Sequence, residues 1–157
     1  MANATDTPSS DSRLDSRLDS RLDSRVVLLY DGDCGFCAGS VQFVLRHEPA
    51  SVRSRLAFAP LQGQFGSRIR EQFPEVAGVD SVVWYDPAVP AVRVRSAAAL
   101  AATAHLGGLW VVVATLGRLV PRVLRDAIYD QIARRRFDIA APACLLPTPE
   151  ERARFLP

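Results

Sequence analysis

The chain is 157 residues long, 48% hydrophobic and 23% charged, with a formal net charge of +2. That length points to one domain, and the apolar fraction can fill a core, which excludes a wholly disordered chain. Three cysteines are too few for a disulfide-stapled mini-protein. The small net charge gives no case for nucleic acid or for an anionic membrane surface.

Residues 1–25 read MANATDTPSSDSRLDSRLDSRLDSR, without the apolar run of a secretory signal, so export by that route is not expected. A cytoplasmic location is the expectation. Asp11, Asp15, Asp19 and Asp23 recur every four residues, with an arginine two places after each. A helix would stack Asp on Asp and Arg on Arg, and no Asp–Arg pair falls three or four apart. The segment therefore reads as a disordered low-complexity tail, with a docking helix as the alternative. The folded domain is expected over residues 26–157.

Val26 to Tyr30 is a continuous apolar run bounded by Asp31 and Gly32, as in a strand buried on both faces. A helix is expected from Cys34 to His47, with Phe36, Val41, Val44 and Leu45 on its apolar face and Pro49 as its stop. Arg55 to Leu61 reads as a second strand, and Gln64 to Phe73 as a second helix closed by Pro74. Ser81 to Tyr85 is β-branched and aromatic, and Val92 and Val94 alternate with arginines. These two runs can form a hairpin. Ser96 is a candidate cap for a helix from Ala97 to Leu106, which Gly107 and Gly108 interrupt.

Leu109 to Val120 is again apolar, and Pro121 can open a helix over Arg122 to Arg136. Ala97 to Gly117 carries no formal charge over 21 residues, close to the length of a membrane span. Its alanine content, His105 and the paired glycines argue instead for two helices packed on a sheet, and against membrane contact. From Phe137 onward the proline-rich chain is expected to lie against the surface.

The chemistry centres on Cys34 and Cys37. A strand ending in Asp31-Gly32-Asp33 delivers the pair to a helix start, where free N–H groups and the helix dipole favour a thiolate. The spacing of three puts both on one helix face, ~5–6 Å apart at Cα, which suits a disulfide. Cys34, nearer the helix end, is expected to be the more exposed attacking thiol and Cys37 the resolving one.

Asp31 and Asp33 oppose thiolate formation by their charge. Asp33 is a candidate helix cap, and Asp31 a candidate proton acceptor for Cys37. A zinc site would need further ligands from Cys144, His47 or His105, but no second paired motif is present. His47 is read as a partner of the helix C-terminus, and His105 as a core or boundary histidine. Trp84, Tyr85 and Trp110 are read as core, and Arg134, Arg135 and Arg136 as a solvated charge run. A hold on a substrate anion is the alternative for those arginines.

Three blocks resemble the DCC family of thiol-disulfide oxidoreductases. Asp31, Cys34 and Cys37 match its Asp-x-x-Cys-x-x-Cys signature. Tyr129-Asp130-Gln131-Ile132-Ala133-Arg134-Arg135-Arg136 is similar to its Tyr-Asp-x-x-Ala-x-x-Arg helix, and Cys144-Leu145-Leu146-Pro147 with Arg154-Phe155-Leu156 to its C-terminal end.

The resemblance implies a thioredoxin-like fold, which agrees with the element order β-α-β-α-β-β-α read independently, followed here by extra C-terminal helices. It implies disulfide exchange by Cys34 and Cys37, which needs no cofactor or metal, with a protein or small-molecule disulfide as substrate and an external electron donor. Thioredoxins carry a cis-proline before the third strand, and Gly78-Val79-Asp80-Ser81 has none. Cys144 is a buried apolar residue or an accessory redox partner. A non-catalytic metal-binding or redox-sensing module built on Cys34, Cys37 and Cys144 is the rival reading.

Overall fold

A computed structural model describes residues 25–80, 82–139 and 147–157. The repeat tail and Cys144 lie outside them. The elements are β1 (Val26–Tyr30), α1 (Gly35–His47), β2 (Leu56–Pro60), α2 (Gln64–Gln72), β3 (Val83–Asp86), β4 (Ala91–Val94), α3 (Arg95–His105), α4 (Leu109–Leu119), α5 (Arg122–Ile139) and α6 (Pro149–Arg152). Four strands form one mixed sheet in the order β2-β1-β3-β4. β1 runs parallel to β2 and antiparallel to β3, and β4 closes an antiparallel hairpin with β3. This is the thioredoxin-like α/β arrangement expected from the sequence.

The continuous apolar run of β1 serves both faces of the sheet, because successive side chains point opposite ways. Leu28 and Tyr30 join Leu56, Phe58 and Trp84 under α1 and α3. Val27 and Leu29 join Ala57, Ala59 and Val83 on the other face, against Phe65 and Ile69 of α2. A Cβ on Gly66 of α2 would come 2.4 Å from the Leu61 carbonyl oxygen, so only glycine lets this helix sit so close to the end of β2.

Three local expectations change. Ser96 does not cap α3: it lies inside the helix and its hydroxyl donates to Asp126 of α5. The preceding Arg95 has a φ of +53°, in the left-handed region, and pairs with Asp130 at 3.6 Å. The chain end does more than lie on the surface, since Phe58 exchanges hydrogen bonds with Arg154 and Leu156, covering β2 and burying Leu156. Behind it, the Arg154 guanidinium makes a two-pronged ion pair with Glu48, just past the end of α1.

The third change concerns α4. It packs chiefly along α3 rather than on the sheet, whose face is already filled by α1 and α3. Gly117 permits the approach, because a Cβ there would meet Leu100 at 2.6 Å. The outer residues Leu109, Val112, Leu116 and Leu119 are exposed. Among the described residues no helix is long and apolar enough to cross a membrane.

Candidate active site

The site begins where β1 ends. The Cys34 amide donates to the Asp31 carbonyl, closing a tight turn through Gly32 and Asp33. That turn puts Cys34, not Asp33, at the cap of α1, where its sulfur accepts the Cys37 backbone N–H at 3.4 Å. The expectation that Cys34 stands exposed is not met. Cys34 is 1% exposed and Cys37 3%. A capping side chain folds back over the helix end it serves, so the geometry that brings the sulfur to the Cys37 N–H withdraws it from solvent. Both cysteines are free thiols.

The two sulfurs differ electrically. Burial, then a hydrogen bond to Cys34 and the charge on that sulfur, push the Cys37 thiol from about 9 up to about 12. A backbone hydrogen bond from Asp31 and the Arg136 charge pull it down less strongly. Cys37 therefore keeps its proton and offers both its thiol and its N–H to Cys34.

The Asp31 carboxylate is buried, and three groups hold it. Gln62 donates at 2.7 Å and the Asp33 amide at 3.1 Å, while Arg136 reaches the other oxygen at 3.2 Å. None of these is a sulfur. The Arg136 guanidinium also donates to the Asp80 carbonyl, and Arg70 donates to that of Val79. The proline-free stretch before β3 is thus tied down by two arginines.

Arg136 departs from the solvated run expected of residues 134–136, because its side chain is only 11% exposed. The usable signal lay in the Tyr129, Ala133 and Arg136 spacing, which places the three on one helix face. That face, rather than Leu124 and Ile128, meets the rest of the protein. Leu124 and Ile128 are exposed.

A cavity of about 550 Å³ lies between α1, α3 and α5. Cys37, Phe36 and Val44 line it from α1, Ala102 from α3, and Tyr129 and Arg136 from α5. Sequence reasoning did not anticipate it, since its walls come from three segments far apart in the chain.

The histidines stand elsewhere. His47 ends α1, with Nδ1 2.8 Å from the Phe43 carbonyl, and a helix of 13 residues spans ~20 Å. His105 packs on Trp84 and faces Glu48 just past that same end, with burial holding it below its usual range. Among the described residues no cluster of three or more His, Cys, Asp or Glu could hold a metal ion.

The family model for DCC1-like thiol-disulfide oxidoreductases matches residues 28–141. The chain belongs to that family. A relative from Bacillus subtilis (strain 168), described as uncharacterized protein YuxK, is 34% identical over 134 residues, covering 83% of this chain and 93% of the relative. No solved structure matches. The DCC1-like match takes in the cysteine pair and the Tyr129–Arg136 block, while Cys144 lies beyond it. Membership supports a thiol-disulfide oxidoreductase role, with Cys34 and Cys37 close together as that role needs.

Proposed function

We propose that the protein reduces disulfides by dithiol exchange. The observation that carries this reading is the Cys34 sulfur at the cap of α1, facing the N–H of a Cys37 whose own thiol stays protonated. Cys34 is the nucleophile because it sits at the helix end and accepts the Cys37 N–H, while Cys37 holds its own proton. It attacks a substrate disulfide and forms a mixed disulfide. Cys37 then gives up its proton, attacks the Cys34 sulfur and frees the substrate thiol.

Asp31 completes the site. Its backbone supports Cys37, and its carboxylate holds Arg136 beside the pair. When the Arg136 contact opens, that carboxylate takes the Cys37 proton. An external thiol restores the dithiol, in a compartment where thiols are kept reduced.

The test traps free thiols across a dithiothreitol redox series. A reversible two-electron transition in the wild type, lost in Cys34→Ser, is expected. Cys37→Ser should instead accumulate a mixed disulfide at Cys34, read as an added substrate mass. Mixed disulfide at neither cysteine would overturn the reading.

A further inference from the structure

The parallel pairing of β1 and β2, with Tyr30 opposite Pro60, brings the turns that follow the two strands side by side. Gln62 stands in the second of them. Its backbone is fixed on either side: the Leu61 amide donates to the Tyr30 carbonyl at 2.8 Å, and the Gly63 amide to that of Pro60 at 3.1 Å. Leu61 is fully buried, while Gln62 itself is exposed. The side chain therefore leaves a firm base and reaches across to the turn that carries the cysteines.

There it makes two contacts of opposite sense. Nε2 donates to Asp31 Oδ1 at 2.7 Å, and Oε1 accepts the Gly32 N–H at 3.1 Å. A carboxylate only accepts and a backbone N–H only donates, so one orientation of the Gln62 amide serves both. An ionised Glu has the same reach but no donor, and Leu has neither group.

The Asp31 oxygens are shared unequally. Oδ1 takes Gln62 and the Asp33 amide, and Oδ2 takes Arg136. Once Arg136 withdraws, the two donors on Oδ1 keep the carboxylate from turning about its Cβ–Cγ bond, a torsion that is otherwise soft. Oδ2 is then the oxygen left open. We infer that Gln62 is a positioning residue for the resolving half of the exchange, anchoring Oδ1 so that Oδ2 receives the Cys37 proton. The inference rests on the exchange reading and names the residue that orients its base.

In that step the Cys37 S–H bond breaks and its proton passes to Oδ2. The Cys37 thiolate bonds to the Cys34 sulfur as the bond from Cys34 to the substrate half breaks. That half leaves as a thiolate and takes the proton from Oδ2, which restores the carboxylate. Over both halves of the reaction the cysteine pair loses two electrons and the substrate disulfide gains two.

The experiment mixes the reduced full chain with bis(2-hydroxyethyl) disulfide and quenches with acid at intervals. Peptide masses report the Cys34 adduct and the closed Cys34–Cys37 disulfide, and a melting scan confirms that each variant is folded. Loss of the base in Asp31→Asn should slow resolution about a hundredfold. Gln62→Leu should slow it about tenfold, as misplacing that base does, with adduct formation within about twofold of wild type. Gln62→Glu keeps the acceptor for Gly32 and loses only the donor, so its resolution should be slowed as much. In an Asp31→Asn background, Gln62→Leu should change resolution by less than about twofold, because its effect passes through the carboxylate. Resolution should be level from about pH 6 to about pH 8 in the wild type and rise with pH in Gln62→Leu, where hydroxide takes over from the carboxylate. A merely structural clamp would slow adduct formation and resolution alike, and its effect would add to that of Asp31→Asn. Either result, or wild-type resolution in both Gln62 variants, would overturn the assignment of Gln62 alone. Wild-type resolution in Asp31→Asn would remove the base that Gln62 is to orient, and an adduct at neither cysteine would overturn the exchange reading itself.

Discussion

Arg136→Gln tests whether α5 is tied to the catalytic end of β1 by charge. The substitution leaves the Asp31 carboxylate, whose side chain is 8% exposed, without its cation. Breaking a buried ion pair from one side costs ~3–5 kcal/mol. Here Gln62 and the Asp33 amide still hold the carboxylate, so the expected loss is ~2–3 kcal/mol. For a domain of this size that is a fall of roughly 8–12 °C in melting midpoint. Asp31→Asn keeps an oxygen acceptor for Gln62 and removes the buried charge. The double variant should therefore recover part of the loss, with a coupling of at least ~1 kcal/mol between the two sites. Urea unfolding of the four proteins under reducing conditions measures it. Losses that add to within ~0.5 kcal/mol would refute the argument that this contact is an electrostatic latch.

Three further outcomes are expected. The Cys37 thiol sits at about 12 in the folded protein against about 9 ordinarily, so the folded state keeps a proton that the unfolded chain releases. Its contribution is intact below about pH 9 and is lost as pH rises toward about 12, so the stability gap between wild type and Cys37→Ala should narrow from about pH 8 to about pH 10.5. A constant gap in urea unfolding would contradict this. Gly39→Ala should raise stability by ~0.5–1 kcal/mol, read as a higher melting midpoint, because the helix gains propensity where no packing is disturbed. Arg154→Met should cost ~2–3 kcal/mol by removing the two-pronged partner of the wholly buried Glu48 carboxylate, which then keeps only Arg53 at 3.8 Å and His105 at 3.9 Å, and Glu48→Gln beside it should restore part of the loss. An unfolding midpoint that stays within error of wild type would show the pair to be idle.

The local pattern carried the fold a long way. The double-faced apolar run of β1, the helix stop at Pro49, the hairpin of β3 and β4, and the paired glycines after α3 all depend on neighbours in the chain. Backbone sterics and short-range periodicity express such features directly. The strand–turn–Cys-x-x-Cys placement was legible for the same reason, and it carried the family and the candidate chemistry with it.

What only the tertiary structure decided is which groups meet across long stretches of chain. Arg136 joins Asp31 over 105 residues, Arg154 joins Glu48 over 106, and Ser96 leaves its capping role for Asp126. Burial was decided there too: Cys34 is withdrawn and the outer face of α4 is left open. Each depends on how much room the sheet face has once α1 and α3 occupy it. Composition and periodicity mark a side chain as apolar or charged, but they do not fix which partner removes it from water.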